Sequence, residues 1–150
     1  MRRAALLLLV TVLACEPAPP NETPEGAVRE FVERMQGFAG DESDAKILFG
    51  LLSERARQNL EHRADRYGAA SGKKITPWAM IAPGRLTPRF LPRAYLSQVV
   101  GKYALVDVVG VSEDQRAQVP CVREEEAWRV DLVLPELPPI ESRPGADLEP

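Results

Sequence analysis

The sequence predicts an α+β domain in which N-terminal helices pack on one face of an antiparallel sheet of about four strands. Two observations predict it. Apolar residues recur at helical spacing up to about residue 67, and from residue 95 onward they alternate with polar residues, as in strands. The breaks between the strands are short, and short connections join antiparallel neighbours.

Three helices are predicted before the strands. Thr23 can cap the first, and Pro24 suits its first turn. Asp41 opens the second, and Ser53 caps a third that Gly68 is expected to end. Each helix has an apolar stripe for packing, made by Val28, Phe31, Val32 and Met35, then Ile47, Leu48, Leu51 and Leu52, then Ala56, Leu60, Ala64 and Tyr67.

Residues 73–92 are rich in proline and predict a wrapping loop, with one turn begun by Thr76 and Pro77. After them come the strands. Pro120 lies within the third strand and predicts an edge position or a bulge there. The four predicted strands are residues 95–100, 103–111, 116–123 and 128–134.

The N-terminus has the layout of a signal peptide. A cationic head, residues 1–3, precedes ten largely apolar residues, 4–13, which is about half the ~20 residues needed to span a bilayer. Ala14 and Cys15 close the segment, and this pattern resembles the lipobox of bacterial lipoproteins. The resemblance implies removal of residues 1–14 and diacylation of Cys15, which would anchor the protein in the membrane of the cell envelope. The alternative is an ordinary secretory signal, or a cleaved leader whose cysteine is incidental.

The lipobox also sets the predicted domain boundaries. Residues 15–22 are rich in proline and carboxylates and predict an extended tether, and residues 136–150 predict a disordered tail. The domain is then residues 23–135. Glu16 stands where many enteric lipoproteins carry the aspartate that retains them on the inner membrane. The resemblance therefore favours the outer membrane, with the domain in the periplasm or at the cell surface.

Three segments carry a second resemblance: the Thr-Pro-Glu-x-Ala-Val-x-x-Phe pattern of residues 23–31, the Leu-Leu-Ser of residues 51–53 and the Trp-Arg-Val-Asp-Leu of residues 128–132. They resemble small bacterial lipoproteins with the cone fold of nuclear transport factor two, limonene epoxide hydrolase and ketosteroid isomerase. The resemblance implies three helices cupping a curved antiparallel sheet around a cavity, and a sheet face that pairs with a second copy. Many lipoproteins of this kind have no assigned activity.

Ketosteroid isomerases use a carboxylate base among apolar walls, opposite a tyrosine or a protonated acid. Asp107 is an isolated carboxylate on the same strand face as Tyr103. We therefore take Trp78, Tyr95, Tyr103 and Asp107 as candidate cavity residues, which would serve a hydrolase or isomerase. No residue aligns with the family's catalytic positions. The alternatives are that Asp107 faces solvent or pairs with Lys102 or a loop arginine, and that the aromatic residues belong to the core.

Charge is distributed unevenly along the chain. No acidic residue lies between Asp65 and Asp107, whereas eleven acids and only four arginines lie from Asp107 onward. The basic stretch suits an anionic partner such as lipopolysaccharide, phospholipid headgroups or an acidic protein surface; alternatively it pairs with the acidic half of the same domain. The net charge of -3 disfavours nucleic acid. The candidate partner surface comprises Lys73, Lys74, Arg85, Arg89, Arg93 and Lys102, with Arg66 preceding it.

No cofactor or metal is expected. With Cys15 lipidated, Cys121 has no partner for a disulfide, and its apolar neighbours predict a buried, unreactive thiol, with residues 124–126 raising its pKa. His62 is the only histidine, so no zinc cluster is available. The function that this sequence favours is a non-catalytic envelope lipoprotein that binds a partner or a ligand, and the alternative is the cavity enzyme.

Overall fold

The computed structural model describes residues 19–137 and 139. They form three helices followed by a four-stranded antiparallel sheet in the order β1-β2-β3-β4, which confirms the predicted fold class. The elements are a 3-10 turn (Pro20–Glu22), α1 (Pro24–Gly37), α2 (Glu42–Gly50), α3 (Glu54–Ser71), a 3-10 helix (Pro77–Met80), β1 (Ala94–Val100), β2 (Tyr103–Val109), β3 (Arg116–Glu124) and β4 (Ala127–Val130).

The predicted caps Thr23 and Ser53 are present, and Asp41, the predicted start of the second helix, is also a cap. The side chains of Thr23, Asp41 and Ser53 each accept a hydrogen bond from the backbone N–H three residues later, at 3.0 to 3.1 Å. The predicted end of α3 is wrong. The helix continues through Gly68 and stops at Gly72, whose φ of 67° is the left-handed conformation that ends a helix.

One face of the sheet meets the helices. Residues alternate along β2, so that Ala104, Val106 and Val108 are buried beneath the helices while the residues between them face outward. On the opposite layer, α1 presents Val28 and Phe31, which are at most 1% exposed. The core between these layers is closely filled by residues of the predicted apolar stripes. Two residues of those stripes are wrong as core predictions, because Ile47 is 44% and Tyr67 is 55% exposed.

The last strand is shorter than predicted. It ends at Val130 instead of residue 134, because β4 pairs with β3 only over Cys121–Glu124. Pro120 lies at the next position of β3, where its missing N–H faces the end of β4, and its carbonyl accepts a hydrogen bond from Asp131. The edge position that Pro120 predicts for β3 is wrong, because β3 is an interior strand. The residues of β3 from Arg116 to Pro120 nevertheless have no partner in β4.

The folded domain begins before residue 23. Residues 20–22, which the sequence assigns to the tether, form a 3-10 turn that contacts α1 and β4. This turn lies so close to α1 that a Cβ on Gly26 would overlap the carbonyl oxygen of Pro20. Glycine is therefore required at this helical position by a close approach of the backbone.

Candidate binding surface

The structure separates the four candidate cavity residues. Tyr103 and Asp107 lie on the outer face of β2, away from the helices, and Tyr95 lies on the helix side of β1. Trp78 packs against α2, where its ring meets that of Phe49 edge-on at 6.3 Å between centroids. These residues therefore do not line a common cavity.

Asp107 has a local partner. Its carboxylate accepts a hydrogen bond of 3.0 Å from the amide of Gln118, the residue opposite it on β3. The ammonium group of Lys102 lies instead 5.3 Å from the centroid of the Tyr103 ring, in a cation–π contact. Of the alternatives given for Asp107, the structure therefore has the one in which it lies on the solvent-facing side of the sheet, where its partner is the neutral Gln118.

Tyr95 is half-buried between β1 and α1. The guanidinium of Arg29 lies 5.2 Å from the centroid of its ring. Burial and the nearby carboxylate of Glu33 raise the pKa of the Tyr95 hydroxyl, and Arg29 lowers it by less. Its hydroxyl is therefore a neutral group at physiological pH, and its ring serves as a packing surface for α1.

A cavity of about 450 Å³ lies between α2 and the 3-10 helix. Its walls are mostly apolar, and Trp78 contributes an indole N–H that is buried without a partner in the described structure. Lys46 lies 5.1 Å from the indole centroid and forms an ion pair of 2.7 Å with Glu42. The hydrogen bond from Lys46 and then its charge lower the pKa of the exposed Glu42. This cavity lacks a carboxylate opposite a tyrosine.

A smaller cleft of about 220 Å³ lies on the outer sheet face beside β4. The carboxylate of Asp131 accepts two hydrogen bonds from Arg55, at 2.6 and 3.1 Å, and one of 2.6 Å from Ser53. Glu124 accepts a hydrogen bond of 2.8 Å from the first N–H of α3 and lies 3.8 Å from Arg57. These polar groups are hydrogen-bonded or ion-paired with one another, and their contacts connect α3 to the end of the sheet.

The predicted cationic residues are all exposed. In the described part of the chain, none of the six has a carboxylate within 4.0 Å. Three acids near the end of the sheet pair instead with Arg55, Arg57 and Arg123. They also fall into separate places. Lys73 and Lys74 follow α3, Arg85 lines a cavity beside α3, Arg89 and Arg93 precede β1, and Lys102 follows it.

The free edge of the sheet lies between the last two of these places. β1 pairs with β2 along all seven residues and, within residues 19–137, with no other strand. None of its residues is charged, and Leu96, Val99 and Val100 are 52 to 78% exposed. Sequence reasoning missed Glu25 here, whose carboxylate accepts a hydrogen bond from the Ser97 hydroxyl 72 positions away. No local pattern signals that contact.

Cys121 is 1% exposed, which confirms the prediction of a buried thiol. Burial raises its pKa to about 12, with the charges of Asp131 and Glu25 adding to the shift. The responsible carboxylates are thus not residues 124–126. The part of the chain that the structure covers contains no cluster of three or more His, Cys, Asp or Glu suited to a metal.

Comparison with known proteins finds no matching family model, no similar curated protein and no similar solved structure. Among the helices within the described residues, none combines the length and apolar character that a membrane crossing needs. Cys15 and the rest of the predicted signal peptide lie outside the described residues. The lipobox and the likeness to the cone fold therefore stay predictions.

Proposed function

We propose that this protein is a lipid-anchored envelope protein whose domain binds an anionic partner without catalysing a reaction. The observation that carries the proposal is the set of six exposed cations that lack a carboxylate partner in the described structure. Cations paired with carboxylates of the same domain would have their charge neutralised locally. Unpaired cations at the surface instead create a positive potential that attracts and orients a negatively charged molecule.

The sites of the candidate enzyme residues support binding over the cavity enzyme. A general base of the isomerase type needs an apolar surrounding that raises its pKa and a nearby hydrogen-bond donor for the substrate. Asp107 lies on the outer sheet face beside Gln118. The interior, where such a base would have to lie, is filled by apolar side chains.

The anchor is tested by metabolic labelling with a fatty acid in a bacterial host that processes lipoproteins. Wild type is expected to incorporate label and to fractionate with membranes, and Cys15→Ala is expected to lose both. Label or membrane association that persists in Cys15→Ala would contradict the anchor.

The partner surface is tested by crosslinking the anchored protein in its native envelope and comparing two variants of equal charge change. Arg89→Glu with Arg93→Glu reverses two unpaired cations, while Arg34→Glu with Lys46→Glu reverses two that have intrahelical partners. The first pair is expected to lose the crosslinked partner and the second to keep it. Equal loss in both would show that general charge, and not this surface, decides binding.

A further inference from the structure

The backbone groups on the free side of β1 are available for pairing. The even-numbered residues of β2 direct their backbone N–H and C=O groups toward β3. This pattern extends beyond both ends of β2, where the Gly110 N–H donates to the Gln115 carbonyl and the Lys102 carbonyl accepts from the Arg123 N–H. The odd-numbered residues of β2 therefore face β1, where their partners in register include Leu96 and Gln98. It follows that Tyr95, Ser97 and Val99 point their N–H and C=O groups away from the sheet.

In the part of the chain that the structure describes, only the middle of this edge is occupied. The Glu25 carboxylate receives a hydrogen bond from the Ser97 hydroxyl. Burial raises the pKa of Glu25, but hydrogen bonding and the charge of Arg29 outweigh it, so the pKa lies below its usual value. The carboxylate thus lies at Ser97, in the middle of the edge, and among the described residues no hydrogen bond reaches the outward backbone groups of Tyr95 and Val99.

The charges around the edge favour one kind of occupant. β1 itself is uncharged, and exposed cations stand just before it and just after it, at Arg93 and Lys102. Seven residues of strand separate them by roughly 23 Å. A second copy paired antiparallel about Ser97 would bring Arg93 of one copy close to Lys102 of the other. Like charges at both ends disfavour that pairing, whereas carboxylates there would be attracted.

We propose that the β1 edge is a strand-addition site for an extended segment of a partner protein, with apolar residues in its middle and acidic residues at both ends. The inference rests on the proposed function and narrows the anionic partner to a peptide segment. Main-chain hydrogen bonds to Tyr95 and Val99 hold the segment, the apolar side chains cover Leu96 and Val100, and the acidic ends meet Arg93 and Lys102.

The test uses the full-length chain in neutral detergent and two synthetic ten-residue peptides. Both peptides have the same central segment of alternating Thr and Val. One peptide carries two glutamates at each end, and the other carries two lysines at each end. Titration by fluorescence anisotropy is expected to show the Glu-ended peptide binding at least ~10-fold more tightly. If neither peptide binds at up to ~1 mM, the inference is overturned.

Val99 separates main-chain pairing from charge attraction. Val99→Pro removes an outward N–H at an edge position that tolerates proline, and Val99→Thr keeps it. The proline variant is expected to bind the Glu-ended peptide about 10-fold more weakly and the threonine variant to match wild type within about 2-fold. If both variants bind the Glu-ended peptide like wild type, strand addition is wrong. The proposed function would still stand in that case if replacing Arg93 weakens binding of the Glu-ended peptide.

The ends of the edge are tested by surface variants that leave the sheet intact. Arg93→Glu with Lys102→Glu is expected to reverse the preference, so that the Lys-ended peptide binds more tightly. Unchanged preference would overturn the charge argument and with it the inference. This readout also covers the case in which Val99→Pro fails to fold.

Glu25 provides a gain-of-binding test. Glu25→Ala removes the carboxylate that lies at Ser97, in the middle of the edge, and is expected to tighten binding of the Glu-ended peptide by about 3-fold, whereas Glu30→Ala, which removes a charge from the same helix, is expected to have no effect. Weaker binding in Glu25→Ala would contradict the inference. Self-association that Val99→Pro abolishes, measured by analytical ultracentrifugation, would assign the edge to a second copy and overturn it.

Discussion

At the β4 edge of the sheet the chain closes on itself, whereas at the β1 edge a single carboxylate occupies the middle. Beside β4, Val130 donates to the carbonyl of Leu51 at 3.0 Å and accepts from Ser53 at 2.8 Å, so that residues 51–53 add a short parallel rung. Leu52 and Val130 are fully buried there. Beside β1, within the described residues, the Glu25 carboxylate accepts a hydrogen bond from the Ser97 hydroxyl, and no further segment pairs with the strand.

The difference separates stability from recognition. The closed edge unites α3 with the sheet through buried side chains and satisfied polar groups, which is where free energy of unfolding comes from. The open edge keeps backbone groups and apolar side chains in solvent, which stabilises little and leaves them available to another chain. The following four changes test this difference, in order of decreasing effect.

Leu52→Ala is expected to have the largest effect. It removes a fully buried side chain beside β4, and such truncations cost about 2–5 kcal/mol of unfolding free energy. Leu96→Ala at the other edge removes a side chain that is 55% exposed and is expected to change stability by less than about 0.5 kcal/mol. Urea unfolding measures both. Equal losses would mean that the edges do not differ as described.

Asp131→Ala removes the acceptor shared by Ser53 and Arg55, and it leaves the fully buried Ser53 hydroxyl without its acceptor. The expected loss is about 1–3 kcal/mol. Asp107→Ala, which removes one hydrogen bond on the exposed sheet face, is expected to lose less than about 1 kcal/mol. A double-mutant cycle of Asp131→Ala with Arg55→Ala measures their coupling, and a coupling of zero would contradict the role given to this pair.

Gly26→Ala tests the helix that reaches both edges. An added methyl group would overlap the Pro20 carbonyl of the turn that contacts β4, and overpacking of this kind costs about 1–3 kcal/mol. Gly37→Ala, in the same helix and with open space around it, is expected to gain up to about 1 kcal/mol from helix propensity. Thermal unfolding of the two variants should therefore shift in opposite directions, and a stabilised Gly26→Ala would contradict the close contact.

The smallest effect is the pH dependence due to Glu25. Its pKa is lowered from 4.5 in the folded protein, so the contribution it makes is complete above pH 4.5 and is lost as the pH falls through the folded value. Glu25→Gln is expected to flatten the acid side of the stability curve by less than about 1 kcal/mol, because the group is partly solvated. Urea midpoints measured between pH 3 and pH 6 provide the check, and an unchanged slope would contradict the contact with Ser97.

The sequence predicted the elements well where the signals are local. The helix starts at Thr23, Asp41 and Ser53 were identified correctly because each cap involves residues three positions apart. The end of α3 was misplaced because glycine in a sequence does not reveal its backbone angle: Gly68 is helical, and Gly72 is the one with positive φ. The burial of Cys121 followed from its apolar strand neighbours.

The candidate site was predicted only in part. The exposure of Arg89 and Arg93 agrees with the predicted cationic stretch in a loop. The sequence could not show whether they have carboxylate partners, because that depends on where the fold places the acids of the C-terminal half. Asp107 was placed on the correct strand face beside Tyr103, yet the side of the sheet that the helices cover could not be read from alternation alone, because both faces of β2 carry apolar residues.

By itself, the sequence determined that this chain forms three capped helices and then an antiparallel meander, since capping, periodicity and short turns act over a few residues. Tertiary structure alone decided which edge would be closed. That outcome depends on Ser53 meeting Asp131, 78 positions away, and on Glu25 meeting Ser97, 72 positions away. Such contacts arise only when packing the apolar faces brings distant segments together, and they leave β1 as the edge open to a partner.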